Sequence, residues 1–351
     1  MAHPGGNMQA LVLTQDGYAT DAGSMRGFSE ASDLLTLAEI PVPTPGLGQV
    51  LIKVRRSTVN PSDVAFVTGT YGQPRVAGTP AGFEGVGTVV AHGGGVMGRV
   101  MMGRNVAFYV GQRGTGAWAD YAMTDALAAI PLKKGMQDRD AAAMLVNPIS
   151  VAAMLDLVRP DEAFVFSAAA SQLGKLAASL AHDQGKRMIG IVRRDGPVEA
   201  LTTLGAAHVL NEKHLDFADN LTEVLRQEKP VIFLDAVGGG PVSSQVFSAM
   251  GKGARWIIYG GLGGSSAEIS NPGEMIFKDK RVESFWAVSW AAKTSMLKQL
   301  RISGLVQKRF VSGAWTTDVA AELPLDRALD RLPAAMELPD GKVQILMGEA
   351  P

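Results

Sequence analysis

The sequence contains no cysteine among its 351 residues. This absence excludes disulfide bonds, thiolate nucleophiles and every zinc site built from cysteine. Disulfides belong mainly to oxidising compartments, so the composition favours a cytoplasmic protein that folds without them. Residues 1–6 show no basic segment followed by an apolar run, and no secretory signal is expected there.

Neither sign of charge predominates. Lys and Arg together number 33 and Asp and Glu number 34, which gives a formal net charge of -1. Without a cationic excess, the chain is not expected to bind nucleic acid or an anionic membrane surface. The longest apolar stretch, residues 141–158, is broken by polar residues and a proline, whereas a membrane span needs about 20 apolar residues. We therefore expect a small-molecule partner.

Glycine is in excess, with 41 of 351 residues and no collagen-like period. Glycine is used where the backbone turns tightly or approaches a neighbour closely. A content of 46% hydrophobic and 19% charged residues suits an ordinary globular core. The length is roughly twice the usual domain size of about 150 residues, so two domains are predicted.

The first third of the chain has the pattern of a compact β domain. Apolar runs of strand length, separated by Pro/Gly turns, lie at residues 8–13, 50–54, 87–91 and 105–110. The end of the chain returns to this character after residue 311, with a predicted helix at 326–336 and a strand at 342–347. We expect this tail to rejoin the first domain.

From about residue 140, apolar strands alternate with segments of helical period. Predicted strands lie at 163–167, 188–192, 231–235, 256–259 and 282–288. This alternation predicts an α/β fold with a Rossmann-type, doubly wound parallel sheet. The expected boundaries are 1–138 for a substrate and catalytic domain, 139–307 for a nucleotide-binding domain and 308–351 for the returning segment.

A strand that runs through small residues into a helix, residues 164–175, is the first candidate binding site. Ser171, Gln172, Leu173 and Gly174 begin the helix, where a turn of small residues lets a pyrophosphate approach backbone amides. The full G-x-G-x-x-G pattern is missing, and this feature alone fits an ordinary strand-to-helix turn equally well. A P-loop is excluded because position 169 is alanine and position 176 is leucine.

Arg193 and Arg194 follow the next predicted strand, about 20 residues after that turn. An NAD-binding protein usually has an acidic residue there for the ribose hydroxyls. Guanidinium groups pair instead with a 2′-phosphate, so the pattern favours NADPH over NADH as the cofactor. Two solvated loop arginines are the alternative.

Two further strand ends are rich in glycine. One includes Val237 and Gly238, and the other includes Tyr259, Gly260 and Gly261. Parallel sheets bind ligands at the carboxyl ends of their strands, so these residues are expected to extend the cofactor site. Each could instead be a simple flexible loop.

Four segments of the first domain stand in a characteristic order: Val59-Asn60-Pro61-Ser62-Asp63, Gly69-Thr70-Tyr71-Gly72, Gly82-Phe83-Glu84-Gly85-Val86-Gly87 and Gly114-Thr115-Gly116-Ala117-Trp118. A later block, Ile276 to Asp279 with Phe285, Trp286 and Trp290, is the most specific. Together these segments resemble the medium-chain dehydrogenases/reductases over nearly the whole chain, from about residue 8 to residue 347. The resemblance is strongest to the zinc-free branch, which holds quinone reductases and mitochondrial-type 2-enoyl thioester reductases. It implies a GroES-like first domain and a homodimer.

The zinc branch of that family carries Gly-His-Glu where this chain has Gly82-Phe83-Glu84. Phenylalanine cannot bind a metal, and the five histidines show no ligand spacing. We therefore expect no metal site and a zinc-independent reaction, in which hydrogen bonds polarise the substrate.

The resemblance also implies roles for individual residues. Tyr71 matches the tyrosine involved in substrate binding and protonation, and Asn60 matches a residue that borders the nicotinamide. Phe285 and Trp286 are candidates for the nicotinamide border, and Trp286 and Trp290 for the substrate pocket. A packed turn tyrosine, and aromatic residues that simply end a buried strand, are the alternatives.

The expected activity is an NADPH-dependent reduction of an activated C=C bond, with a 2-enoyl thioester as the first choice of substrate. A quinone or small enone is the second choice, and a non-catalytic NADPH-binding protein is an alternative of another class. Residues 15–38 depart from the resemblance and leave the substrate less defined than the cofactor.

Overall fold

The computed structural model describes residues 4–19, 33–269, 271–338 and 341–348. The chain forms two compact units, of which unit 1 comprises residues 1–146 and 303–351 and unit 2 comprises residues 147–302. No helix within the described ranges is long and apolar enough to cross a membrane.

Unit 1 is built mainly from β-strands, numbered here in chain order. Its strands are β1 (Asn7–Leu13), β2 (Leu35–Pro41), β3 (Gln49–Val59), β4 (Glu84–His92), β5 (Asn105–Tyr109), β6 (Tyr121–Asp125), β7 (Ala129–Pro131), β14 (Val319–Pro324) and β15 (Lys342–Leu346). Its helices are α1 (Pro61–Val67), α2 (Val96–Met101), α3 (Asp138–Ala141) and α12 (Leu325–Met336), with a 3₁₀ turn at Ala126–Ala128.

The larger sheet of unit 1 has the strand order β14-β15-β3-β4-β5-β7, and β6 also pairs with β3. Its pairs are antiparallel except for β14 with β15. The core beneath it contains Ile52, Phe83, Phe108 and Trp118, all buried. The final strands β14 and β15 therefore belong to the sheet of unit 1.

Unit 2 alternates strands and helices. Its strands are β8 (Ala163–Phe166), β9 (Arg187–Val192), β10 (His208–Asn211), β11 (Ile232–Asp235), β12 (Arg255–Ile258) and β13 (Arg281–Ser284). Its helices are α4 (Asn147–Leu155), α5 (Gln172–Asp183), α6 (Pro197–Thr203), α7 (Phe217–Glu228), α8 (Gly240–Ala249), α9 (Gly273–Phe277) and α10 (Ala287–Lys293), and α11 (Met296–Val311) runs on into unit 1.

The sheet of unit 2 is parallel and has the order β10-β9-β8-β11-β12-β13. Numbered from β8 as the first strand, this is the order 3-2-1-4-5-6 of a Rossmann fold. The prediction of a doubly wound parallel sheet is confirmed. The strand order reverses between β8 and β11, and such a switch point is where these sheets bind ligands.

The unit boundaries lie a few residues away from those expected from the sequence. Residues 139–146, expected in the nucleotide-binding domain, belong to unit 1. The backbone amides of Leu145 and Val146 each donate a 2.9 Å hydrogen bond to the Glu84 carboxylate, and that of Thr317 donates to Asp140. These bonds fasten the segment to unit 1 and explain the shift.

Candidate active site

The switch point of the unit 2 sheet is held by a hydrogen bond between its two neighbouring strand ends. Ser167 follows β8 and donates to Asp235 Oδ1 at the end of β11, at 2.5 Å. Trp256 Nε1 donates to the other carboxylate oxygen, Oδ2, at 2.8 Å, and the backbone amide of Val237 donates to Oδ1 at 2.9 Å. Because Asp235 is buried with these donors around it, the strand ends beside the candidate cofactor site are fixed in place.

The turn between β8 and α5, which was predicted as a phosphate site, leads directly into a capped helix. Ser171 caps the helix, and its side chain accepts a hydrogen bond from the Gly174 amide at 3.2 Å. A Cβ on Gly174 would lie 2.2 Å from the carbonyl oxygen of Ala169, so only glycine fits there. Gln172 and Leu173 form the first turn of the helix, whose amides are suited to an anion.

The loops after β11 and β12 pack on each other through backbone contacts. The amides of Leu262 and Gly263 donate to the carbonyl oxygens of Ala236 and Val237. A Cβ on Gly238 would lie 2.4 Å from the carbonyl oxygen of Gly260. Part of the glycine excess therefore serves this close approach of two loops.

The residues of these loops differ in exposure. Gly261 is exposed, and nothing lies within 4 Å of the position its Cβ would occupy. The Tyr259 hydroxyl is buried and has no hydrogen-bond partner among the described residues. Burial, and then the nearby Asp235, raise the pKa of this phenol well above its usual range, so it remains a hydrogen-bond donor.

Arg193 and Arg194 follow β9, and both are exposed. Arg193 makes no ion pair with a described residue, so its guanidinium can meet an incoming anion without first breaking a protein contact. β9 neighbours β8 in the sheet, so the two arginines follow the strand next to the one that leads into α5. Their role toward a 2′-phosphate stays a prediction from the sequence.

The predicted strand at 282–288 is wrong in length and in burial. β13 ends at Ser284, and residues 287–293 form α10, so Trp286 is the residue that precedes this helix. β13 is an edge strand of the sheet and is largely exposed. Phe285 and Trp290 are half-buried and Trp286 is 37% exposed, so none of the three lies in the core.

In unit 1, Tyr71 lies beside Phe83 in a small aromatic group. The ring centroids of Tyr71 and Phe83 are 5.0 Å apart, and Phe66 lies 5.1 Å from Phe83. Tyr109, at the end of β5, stacks on Phe83 at 5.9 Å. Phe83 occupies the position of the zinc branch's histidine, and it supports two phenols there.

Asn60 is buried, and both ends of its side-chain amide are engaged. Its Nδ2 donates to Glu84 Oε1 at 2.8 Å, and its Oδ1 accepts from Lys342 Nζ at 2.5 Å. A carboxylate can only accept and an ammonium group can only donate, so these two partners fix the orientation of the amide. Asn60 was predicted as a catalytic residue. In unit 1 its side chain links the buried Glu84 and Lys342 side chains.

Burial shifts the pKa values of the charged groups in this network. It raises the pKa of the Glu84 carboxyl and lowers that of the Lys342 ammonium. Burial, and then repulsion from Glu84, raise the pKa of Asp63 to about 7, although its carboxylate accepts backbone hydrogen bonds from Asn60 and Phe83. The network therefore holds two carboxyl groups and one ammonium group away from water.

Three residues of the site were not predicted from the sequence: Glu84, Lys342 and Tyr109. Glu84 lies in the quoted Gly82-to-Gly87 segment, but Asn60, which donates to it, and Lys342, which donates to Asn60, come from other parts of the chain. The lysine that begins the terminal strand is the sequence signal for Lys342, since a lysine is rarely buried unless it is paired. Tyr109 carries no comparable signal.

Comparison with known proteins agrees with both units. The family model described as alcohol dehydrogenase GroES-like domain matches residues 46–134, and the model described as zinc-binding dehydrogenase matches residues 173–301. Fold and matches define a two-domain oxidoreductase with a GroES-like unit and a Rossmann unit. A solved structure from Mesorhizobium loti, provisionally assigned as an NADPH:quinone reductase, is 46% identical with a TM-score of 0.92, covering 99% of this chain and 100% of that one. The chain belongs to the medium-chain dehydrogenase/reductase superfamily.

Two other relatives differ in the activity their names give. Bovine mitochondrial enoyl-[acyl-carrier-protein] reductase, from Bos taurus, is 27% identical over 319 residues, which cover 88% of this chain and 83% of that protein. The Escherichia coli quinone oxidoreductase, solved with NADPH, is 20% identical with a TM-score of 0.78, covering 96% of this chain and 99% of that chain. The family resemblance stated from the sequence is confirmed.

The match to the model described as zinc-binding dehydrogenase does not mean that this chain has a zinc site. Phe83 replaces the histidine, and both oxygens of Glu84 are engaged by Asn60 and by the Leu145 and Val146 amides. Within the described ranges, no three His, Cys, Asp or Glu side chains are grouped as metal ligands would be. The residues present do not fit the zinc site of that branch.

Proposed function

We propose that this protein is an NADPH-dependent reductase that adds hydride to an activated C=C bond, with a 2-enoyl thioester as its first substrate. The observation that supports this most is the position of Tyr71, whose phenol lies against Phe83 where zinc enzymes of the family have a metal ligand. A positioned O–H group can polarise a carbonyl by hydrogen bonding, as a Lewis-acidic metal ion would.

The cofactor would be held by unit 2. Ser171, Gln172, Leu173 and Gly174 would receive the phosphates at the N-terminus of α5. Arg193 and Arg194 would pair with the 2′-phosphate, which distinguishes NADPH from NADH. The rest of the cofactor would lie along the following strand ends, at residues Val237, Gly238, Tyr259, Gly260, Gly261, Phe285 and Trp286.

NADPH, when bound, supplies the hydride for Cβ of the enoyl group. The role of Tyr71 is to stabilise the negative charge that develops on the thioester oxygen and to protonate Cα. Asn60 holds the start of α1 through Glu84 and Lys342, and so keeps the segment that leads to Tyr71 in position. Trp286 and Trp290 are the proposed substrate contacts from unit 2.

A quinone or a small enone is the second candidate substrate. It is favoured by the 46% identity to the Mesorhizobium loti protein and its provisional assignment. The chemistry is shared, since each substrate accepts hydride at a position conjugated to a carbonyl. A non-catalytic NADPH-binding protein is a third reading, which predicts cofactor affinity without turnover.

A substrate panel tests the proposal. NADPH oxidation would be followed by absorbance with crotonyl-coenzyme A, cyclohexenone and 1,4-benzoquinone, using the wild type and Tyr71→Phe. We expect crotonyl-coenzyme A to give the highest kcat/KM, and Tyr71→Phe to lower it by roughly 10²-fold or more. Turnover of the quinone alone would contradict the enoyl thioester and support a quinone as the substrate. NADPH binding without any turnover would support a non-catalytic NADPH-binding protein.

We further propose a cytoplasmic homodimer. The cytoplasm fits a chain without cysteine. Ile276 and Phe277 of α9 are 73% and 81% exposed, and α9 shortly precedes β13, the edge strand of the sheet, in the chain. An exposed edge strand flanked by apolar side chains suits pairing with a second copy of the same chain.

A further inference from the structure

Tyr109 has a buried hydroxyl group without a hydrogen-bond partner among the described residues. Leaving a buried hydroxyl unpaired costs stability, so each such group in a native protein calls for an explanation. A phenylalanine would fill the same space against Phe83 without this cost. The hydroxyl therefore calls for a partner close to its present position, and, besides burial, hydrogen bonding with the Tyr71 side chain is among the causes that raise its pKa.

The position of Tyr109 is fixed by the strands around it. It is paired directly with Glu84 across β5 and β4, so both side chains lie on the same face of the sheet. The Thr124 hydroxyl donates to the Tyr109 carbonyl oxygen at 2.6 Å, and the Tyr109 ring stacks on Phe83. Tyr71 lies against the same phenylalanine at 5.0 Å.

The acidic groups near Tyr109 are already engaged. Asp63 accepts from the backbone amides of Asn60 and Phe83, and Glu84 accepts from Asn60 and two further amides. Burial raises the pKa of Tyr109 well above its usual range, and Tyr71, Asp63 and Glu84 raise it further. Tyr109 thus keeps its proton, and Tyr71 is the hydroxyl-bearing neighbour to which it can donate.

We propose that Tyr109 is a positioning residue for Tyr71, whose hydroxyl oxygen accepts the Tyr109 proton in a hydrogen bond as Tyr71 gives up its own proton. This inference rests on the proposed function of Tyr71 in reduction. In this proposal the Tyr109 hydroxyl stabilises the negative charge that develops on the Tyr71 oxygen.

Proton transfer from Tyr71 completes the reduction that hydride addition begins. Hydride addition at Cβ leaves an electron pair on the enolate of the substrate. A C–H bond forms at Cα as the O–H bond of Tyr71 breaks, and the electron pair of that bond remains on the Tyr71 oxygen. The phenolate is stabilised by the Tyr109 O–H group until water returns the proton.

The test compares Tyr109→Phe, Tyr71→Phe and the double variant with the wild type. Tyr121→Phe, which changes a partly exposed tyrosine on β6, is the matched control. Steady-state rates would be measured with NADPH and crotonyl-coenzyme A or 1,4-benzoquinone, in H₂O and in D₂O, and the thermal midpoint of each variant would be recorded.

We expect Tyr109→Phe to lower kcat by about 3- to 10-fold, as loss of one hydrogen bond predicts, and to increase the solvent isotope effect on kcat while KM for NADPH stays unchanged. The double variant should be no slower than Tyr71→Phe, because Tyr109 acts through Tyr71. The thermal midpoint should stay the same or rise, since an unpaired hydroxyl is removed. A merely structural Tyr109 would not change the isotope effect.

The inference is overturned if kcat of Tyr109→Phe stays within the error of the Tyr121→Phe control, or if the effects of the two substitutions multiply. A loss of the folded state, or a fall of several degrees in the midpoint, would also overturn it, because the hydroxyl would then have a structural partner. Failure of the proposed function is distinct, since the wild type itself would then reduce none of the substrates.

Discussion

Lys342 Nζ donates a 2.5 Å hydrogen bond to Asn60 Oδ1, and this bond joins β15 to the N-terminus of α1. The same amide donates from its Nδ2 to Glu84 on β4. Three elements that are far apart in the sequence are thus held by one amide between an ammonium group and a carboxylate. The segment that leads from α1 to Tyr71 depends on this arrangement.

Replacing Lys342 by methionine should destabilise unit 1. The substitution keeps much of the volume but leaves Glu84 and Asp63 without a counter-charge, and breaking a buried pair in this way costs about 3–5 kcal/mol. Urea unfolding monitored by tryptophan fluorescence would measure the loss. Lys53→Met, at an exposed position of β3, is the control and should change the free energy of unfolding by about 0.5 kcal/mol at most. Equal stability of the two variants would contradict the proposed importance of the network.

Asp63 predicts a specific pH dependence. Its pKa is raised from 3.8 to about 7 by burial and by Glu84, so the folded chain keeps a proton that the unfolded chain has lost between those values. The stability this group provides is complete below about pH 4 and falls as pH rises to about 7, by at most about 1.4 kcal/mol per pH unit.

Asp63→Asn removes this titration. Denaturant unfolding of both proteins at pH 5, 6, 7 and 8 should show the difference in free energy of unfolding moving in favour of the variant up to pH 7 and then levelling off. The reference is the difference at pH 5, so the constant cost of the amide substitution cancels. A difference that does not change with pH would mean that Asp63 is ionised throughout.

Replacing both Arg193 and Arg194 by alanine should weaken NADPH much more than NADH. One lost charged contact to the 2′-phosphate is worth about 1.5–3 kcal/mol, or roughly 10- to 150-fold in Kd. Isothermal titration with each cofactor would measure it, with Arg226→Ala on the exposed side of α7 as the control. An equal loss for both cofactors would remove the 2′-phosphate assignment.

Replacing Phe277 by aspartate should weaken self-association. The aromatic ring is 81% exposed, and a carboxylate at this position would be desolvated if the proposed interface covers it. Sedimentation velocity over a concentration series should show the variant shifted toward monomer. Leu215→Asp, fully exposed near the opposite edge strand β10, should sediment like the wild type. A Phe277→Asp protein that remains dimeric would place the interface elsewhere.

The parallel sheet was predictable because buried strands such as β8 and β11 are continuous apolar runs, and the small residues between β8 and α5 have few other uses. β13 was not predicted correctly. Val282 together with Phe285 to Val288 resembles a core strand, whereas β13 itself is Arg281-Val282-Glu283-Ser284 at an exposed sheet edge and the chain turns into α10 soon after it. A short apolar run does not by itself distinguish a buried strand from the start of a helix.

Candidate site residues can be proposed from the sequence where a single segment supplies them, as at Tyr71 and at Ser171 to Gly174. Contacts made across the fold could not be predicted in this way. Asn60 was selected from its local motif, but its partners Glu84 and Lys342 lie 24 and 282 residues away along the chain. Pairings of this kind depend on strand register, which follows from the whole sheet.

Because unit 1 is interrupted by unit 2 in the sequence, synthesis on the ribosome imposes an order on folding. All the strands of unit 2 are complete by residue 284, whereas the larger sheet of unit 1 lacks β14 and β15 until residues 319–346 have emerged. During that interval Asn60 lacks the lysine that bonds it, and residues 56–59 of β3 lack their β15 partner on one edge. The nascent N-terminal segment is therefore the part of this protein most in need of chaperone protection, although it is made first.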